Sequence, residues 1–183
     1  SVAMGTLDES QISGITALAL ARVKKQGAGI DPQRQQSTRD LLHQALMDYI
    51  ADLNLEIAEA EAGFEERFGD AWREEIALRV FGPDEVPQQR EGESVEDYRK
   101  RLEQELVAKM LNPDGTIKDK YLNDPELRSA AEWAQKVRNR DLALGMANDL
   151  SDPAITPEQT REIMEQIEHA KNSEINNYAA DAL

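Results

Sequence analysis

Residues 40–68 read DLLHQALMDYIADLNLEIAEAEAGFEERF, and this stretch decides the fold. Leu42, Leu46, Tyr49, Leu53, Ile57, Ala60 and Phe64 follow one another at steps of four, three, four, four, three and four, and Phe68 extends the row. Side chains three and four apart share one face of an α-helix, so the row is a near-heptad apolar seam. Upstream, Pro32 behind Asp31 suits a first helical position, and downstream Gly69 is a stop or a bend. A helix over 32–68 would be about 55 Å long, with Gly63 as its candidate kink.

The same stretch holds no Lys or Arg from Asp40 to Glu66. From Asp48 to Asp97 there are sixteen acidic residues against four basic ones, in a chain whose net charge is −15. Solubility asks for net charge but not for its concentration, because like charges oppose a compact fold. Asp48, Asp52 and Glu56 recur every four residues, as do Glu61 and Glu65. Like charges at that spacing cost a helix a few tenths of a kcal/mol each. Two explanations are open. The acids form a solvated face, paired in part with Arg99, Lys100 and Arg101 or with Lys136, Arg138 and Arg140. Or they are a docking surface for a basic partner, with Asp48, Asp52, Glu56, Glu59 and Glu66 as its candidate residues.

The rest of the chain is also helical in pattern. A first helix is expected over about Asp8–Gln26, with Ile12, Ile15, Ala19 and Val23 on one stripe and Gly27 and Gly29 ending it. After Gly69, Trp72, Ile76 and Val80 mark a shorter helix that ends at Gly82-Pro83. Residues 83–93 (PDEVPQQREGE) are polar with two prolines, and predict a linker between an N-terminal part (1–82) and a C-terminal part (94–183), unless the chain is one continuous domain. Ser94 and Asp97 have capping-box spacing ahead of a stripe of Val95, Tyr98, Leu102, Leu106 and Met110. Asn112-Pro113-Asp114-Gly115 is a turn, with a short helical piece around Ile117–Leu122. Asp124-Pro125 opens a long helix whose seam is Leu127, Ala131, Ala134, Val137 and Leu144. Thr156-Pro157-Glu158-Gln159 starts a last helix with Ile163, Ile167, Ala170 and Tyr178, fraying after Asn176. No run alternates at the period of a strand. The fold expected is therefore all-α: an irregular bundle of five to six helices around one long central helix.

Composition narrows the chemistry. There are no cysteines, so no disulfide and no thiolate is available, which a reducing cytosol tolerates. A cytoplasmic location is the expectation. No stretch reaches the ~20 apolar residues of a membrane span, and Ile15–Val23 lacks a positive leader. The chain starts at Ser1 rather than Met, so a processed chain or a piece of a longer one is expected, with Ser1–Gly5 in part a vector remnant. An anionic protein is repelled by phosphate backbones and anionic lipid, so neither direct nucleic-acid binding nor membrane binding is expected.

No catalytic, cofactor-binding or metal-binding residue is identified. The two histidines, His43 and His169, offer one Asp-x-x-His half-match at Asp40–His43 and no second. Aligning Gly115 with the central glycine of a calcium loop puts Met110 and Tyr121 where acids are needed. There is no G-x-S-x-G and no phosphate-cradling glycine loop. Three readings follow. The leading one is a non-catalytic acidic interaction module that binds a basic protein, of the inhibitor, antitoxin, immunity-protein or nucleic-acid-mimic kind. The second is a helical scaffold or virion-associated component that forms a homo-oligomer through its seam. The third is a helical-bundle metalloenzyme. No cofactor is expected for the first two.

Overall fold

The computed structural model describes the backbone of residues 32–182 and the side chains of residues 37–172. The helix expected over 8–26 lies outside the described residues. Within them the fold is all-α. Helix α1 spans Pro32–Phe68, a 3-10 turn covers Gly69–Ala71, and α2 is Trp72–Phe81. Helix α3 is Val95–Met110, α4 the single turn Asp119–Leu122, α5 Arg128–Leu150 and α6 Pro157–Ala182. The nearest approach to sheet is one isolated bridge, Leu111 to Ile117. No helix among the described residues is long and apolar enough to cross a membrane.

Helix α1 runs through Gly63 without interruption and stops at Gly69, whose φ of 77° is a left-handed conformation that costs a side chain energy. Other boundaries follow the caps. Ser94 Oγ accepts from the Asp97 amide at 3.0 Å to open α3. Asp124 Oδ1 accepts from the amides of Glu126 and Leu127 at 2.9 and 3.2 Å, which starts the turn leading into α5. At α6, Thr156 Oγ1 accepts from the Gln159 amide at 3.2 Å while Gln159 Oε1 accepts from the Thr156 amide at 2.9 Å, a reciprocal capping box.

Contacts divide the chain into two units, the first of residues 139–183 with the described part of 1–54 and the second of residues 55–138. The expected linker, 83–93, lies inside the 55–138 unit rather than at its edge. In the first unit, α1 buries Leu42, Leu46, Tyr49 and Leu53, α5 buries Ala143, Met146, Ala147 and Leu150, and α6 buries Ile163, Met164 and Ile167. In the second, Ile57 and Phe64 of α1 join Trp72, Ile76 and Val80 of α2, Leu102, Leu106 and Met110 of α3, and Leu127, Ala131, Trp133, Ala134 and Val137 of α5 and the turn before it. The seam residues are thus core, apart from Ala60 and Phe68, which are half-buried.

Two seam assignments differ from the structure. Val95 is 52% exposed, because it is the first residue of α3 and lies a full turn before the packed stretch. Leu144 is 45% exposed, because α5 gives different faces to the two cores. Ala130, Ala131, Ala134 and Val137 share one side; Ala143, Met146, Ala147 and Leu150 lie close to the opposite side at 3.6 residues per turn. A stripe continued through residue 138 therefore picks the wrong face.

The turn at 112–116 is fixed from within and from α5. The Gly115 amide donates to Asn112 O at 2.9 Å and the Asn112 amide to Thr116 O at 2.8 Å, a type I turn closed by a glycine bulge. Asp114 Oδ1 accepts from the Thr116 amide and hydroxyl at 3.0 and 2.6 Å. Buried Gln135 donates to Gly115 O at 2.9 Å, and Arg138 to Pro113 O at 3.2 Å. Gly115 has φ +90°, and a Cβ there would collide with the Arg138 guanidinium.

Four substitutions at three positions test this architecture by urea unfolding. Leu53, 1% exposed, should cost about 2–5 kcal/mol as Leu53→Ala, and Leu53→Asp should abolish the cooperative transition. The two glycines should act in opposite directions. Gly115→Ala is expected to destabilise by more than about 1 kcal/mol. Gly63→Ala, with nothing within 4 Å of its would-be Cβ, should stabilise, by about 0.5–1 kcal/mol.

Candidate functional site

In the first unit, the seam turns one side of α1 inward, and Asp48 and Asp52 fall away from it. Asp48 is exposed and accepts from Gln44 Nε2 at 2.9 Å. Asp52 is half-buried. Partial burial and, secondarily, the Asp48 charge one turn away raise its carboxyl above the ordinary value of 3.8. Neither force is offset by a cation, since no ion pair to Asp52 exists among the described residues.

In the second unit, Glu59 and Glu66 are exposed, with Glu65 also exposed beside them. None of the three forms an ion pair among the described residues. Glu56 differs: Lys136 Nζ of α5 lies 3.9 Å from its carboxylate, and both side chains are three-quarters or more buried. Glu61 is also engaged. Its carboxylate accepts from the Trp133 indole N–H at 3.0 Å. The acids of α1 are therefore of two kinds, those that serve the core and those that face water.

The basic clusters are used elsewhere in the second unit. Arg99 Nε reaches Glu74 at 3.3 Å, and Arg73 Nε lies 3.4 Å from Glu103 while its guanidinium stacks 4.2 Å over Trp72. Arg101 is the most heavily committed. It donates to both oxygens of Glu93 at 2.8 and 2.9 Å, to Glu105 at 3.1 Å and to Gln88 O at 2.8 Å. Tyr98 donates its hydroxyl to Pro87 O at 2.6 Å. These bonds clamp the polar 83–93 segment onto α3, although its composition predicts a linker. The Arg101 fork, with the Arg90 amide adding a bond, holds the Glu93 carboxyl down at about 2.

A cleft of about 270 Å³ in the first unit is bordered by Asp149, Asp152, Glu162, Gln159 and Gln166. Two of its polar groups have local tasks: Asp152 Oδ1 accepts from the Ala154 amide, and Gln159 Oε1 caps α6. Among the described residues no group of three or more His, Asp or Glu side chains is placed to hold a metal ion. His43 is half-buried and His169 exposed.

Sequence reasoning missed an apolar feature among the acids. Leu55 is 68% exposed, and Ala58 and Ala62 are exposed on the same side of α1. Their spacing of three and four was a readable signal, hidden because the stronger seam claimed the helix. Compared with protein-family models, with curated proteins and with solved structures, the chain matches none.

The Glu93–Arg101 clamp gives a pH prediction. Its carboxyl is depressed from an ordinary 4.5 to about 2, so the stabilisation is fully present above the ordinary value and is lost as pH falls towards the folded one. Urea midpoints of the wild type and Glu93→Gln should differ by a constant amount above about pH 5 and converge progressively below pH 4.5. Limited proteolysis at neutral pH should cut the variant within 83–93 first.

Proposed function

We propose that the protein is a non-catalytic interaction module that offers the outward acids of α1 to a basic protein partner, in the manner of an inhibitor, an antitoxin or immunity protein, or a nucleic-acid mimic. One observation carries this reading. Asp52, Glu59 and Glu66 have no ion-pair partner among the described residues, while Arg73, Arg99 and Arg101 of the same chain are committed to Glu74, Glu93, Glu103 and Glu105. A fold that merely solvated its acids would gain by spreading cations among them, and this one spends its cations elsewhere. Glu56 is the exception in the predicted set, since Lys136 is near it. Its part in docking is secondary.

A self-associating scaffold is the alternative. That reading depended on the apolar seam being available to a second chain. Leu42, Leu46, Leu53 and Ile57 are all 3% exposed or less within a single chain, so the seam is already spent.

The test is the triple variant Asp52→Asn/Glu59→Gln/Glu66→Gln, studied with partners that co-purify at low salt and elute at high salt. Relief of repulsion, together with removal of the partly buried Asp52 charge whose burial raises its carboxyl pKa, should leave the melting temperature equal to or above that of the wild type. Association should slow, and the salt dependence of affinity should flatten. A variant that melts well below the wild type, with unchanged partner affinity, would assign the acids to internal pairing and overturn the proposal.

A further inference from the structure

The outward side of α1 in the second unit is not acidic alone. Leu55, Ala58 and Ala62 stand three and four residues apart, so they line up on one face over about 10 Å of helix. The core positions Ile57 and Phe64 fall on the other side, 3–4% exposed. Glu59 and Glu66, one heptad apart, border one edge of the row, and Glu65 borders the other. This is the layout of a coiled-coil face, an apolar strip with charged margins, left open to solvent.

We propose that this face binds one amphipathic α-helix of the partner, with an apolar seam against Leu55, Ala58 and Ala62 and Lys or Arg along its margins against Glu59, Glu65 and Glu66. The inference rests on the docking function above and gives it a recognition mode. Charge selects the occupant. A second copy would set these glutamates against the same glutamates, and like charges across a seam repel. A purely basic surface without a seam would satisfy the acids but leave Leu55 in water. The two alanines favour a helix over a loop, because small side chains let a second helix backbone lie close while Leu55 fills a hole between its turns.

Two synthetic peptides of identical composition test this against the full chain. One, about three heptads long, carries a leucine seam with lysine margins; the other has the same residues shuffled to break the seam. At low salt the seam peptide should bind at least about tenfold more tightly, a difference of one hot-spot side chain. Leu55→Ser should leave the melting temperature unchanged and lower seam-peptide affinity to that of the shuffled one. Glu59→Gln/Glu66→Gln should weaken both peptides. Equal binding of the two peptides, or indifference to Leu55→Ser, overturns helix recognition and leaves electrostatic docking intact. Absence of binding by either peptide at low salt overturns the docking function itself. A dimer mass by light scattering, lost in Leu55→Ser, assigns the face to a second copy and also overturns the proposal.

Discussion

An indole taken out of water must keep a partner for its N–H, since a buried donor without an acceptor costs about 1–3 kcal/mol. Trp133, 1% exposed, meets this requirement through Glu61 at 3.0 Å. Its ring stands edge-on to Trp72 at 5.5 Å and to Phe64 at 6.1 Å, and those two rings lie 5.3 Å apart. The three aromatics come from α1, α2 and α5, so satisfying one side chain fixes how three helices of the second unit meet. The bend at Gly69 is what lets Trp72 come back against Phe64. Arg73 then covers the outer face of Trp72 and reaches Glu103 on α3. The order of the unit can be followed outward from that one hydrogen bond.

Cations in the second unit are distributed by the same logic. They go where they close structure: Arg101 onto the 83–93 segment, Arg99 onto α2, Arg138 onto the turn at 112–116, Lys136 near Glu56. Exposed pairs are worth at most about 1 kcal/mol, whereas a clamp that removes a loop's freedom also removes strain and water from its backbone groups. Glu59, Glu65 and Glu66, on the outer side of α1, are among the acids that form no ion pair in the described residues. The imbalance of the sequence is therefore a division of labour between acids that hold the fold and acids that do not.

Much of this was legible in the chain. The seam of α1 is spaced so regularly that its buried side follows from counting. The caps at Ser94, Asp124 and Thr156 name their helix starts, because the geometry needs only one side-chain oxygen and an amide two or three residues on. Other features were hidden for physical reasons. Periodicity assumes one buried face per helix, and α5 has two, which is why Leu144 misleads. Proline and polar composition mark 83–93 as irregular, which it is, but carry no information about Arg101, a side chain eight residues beyond Glu93. The division at residues 54 and 138 leaves no turn signal, since it falls inside helices. The acids of α1 look alike in sequence, and only the position of Trp133 and Lys136 separates Glu61 and Glu56 from Glu59 and Glu66.

The edge-to-face indole pair has an optical consequence. Both tryptophans of the chain belong to the 55–138 unit, so the tryptophan emission of this protein, excited beyond the tyrosine band, comes from that unit alone. Two indoles 5.5 Å apart share excitation, and their fixed edge-to-face setting, at 86°, within a chiral fold makes the pair a source of near-ultraviolet circular dichroism. The molecule thus carries an intrinsic chiral dye on one side of its own division. Loss of that signal marks the separation of α2 from α5, while the helical backbone of the other unit, which holds no indole, is silent at the same wavelength.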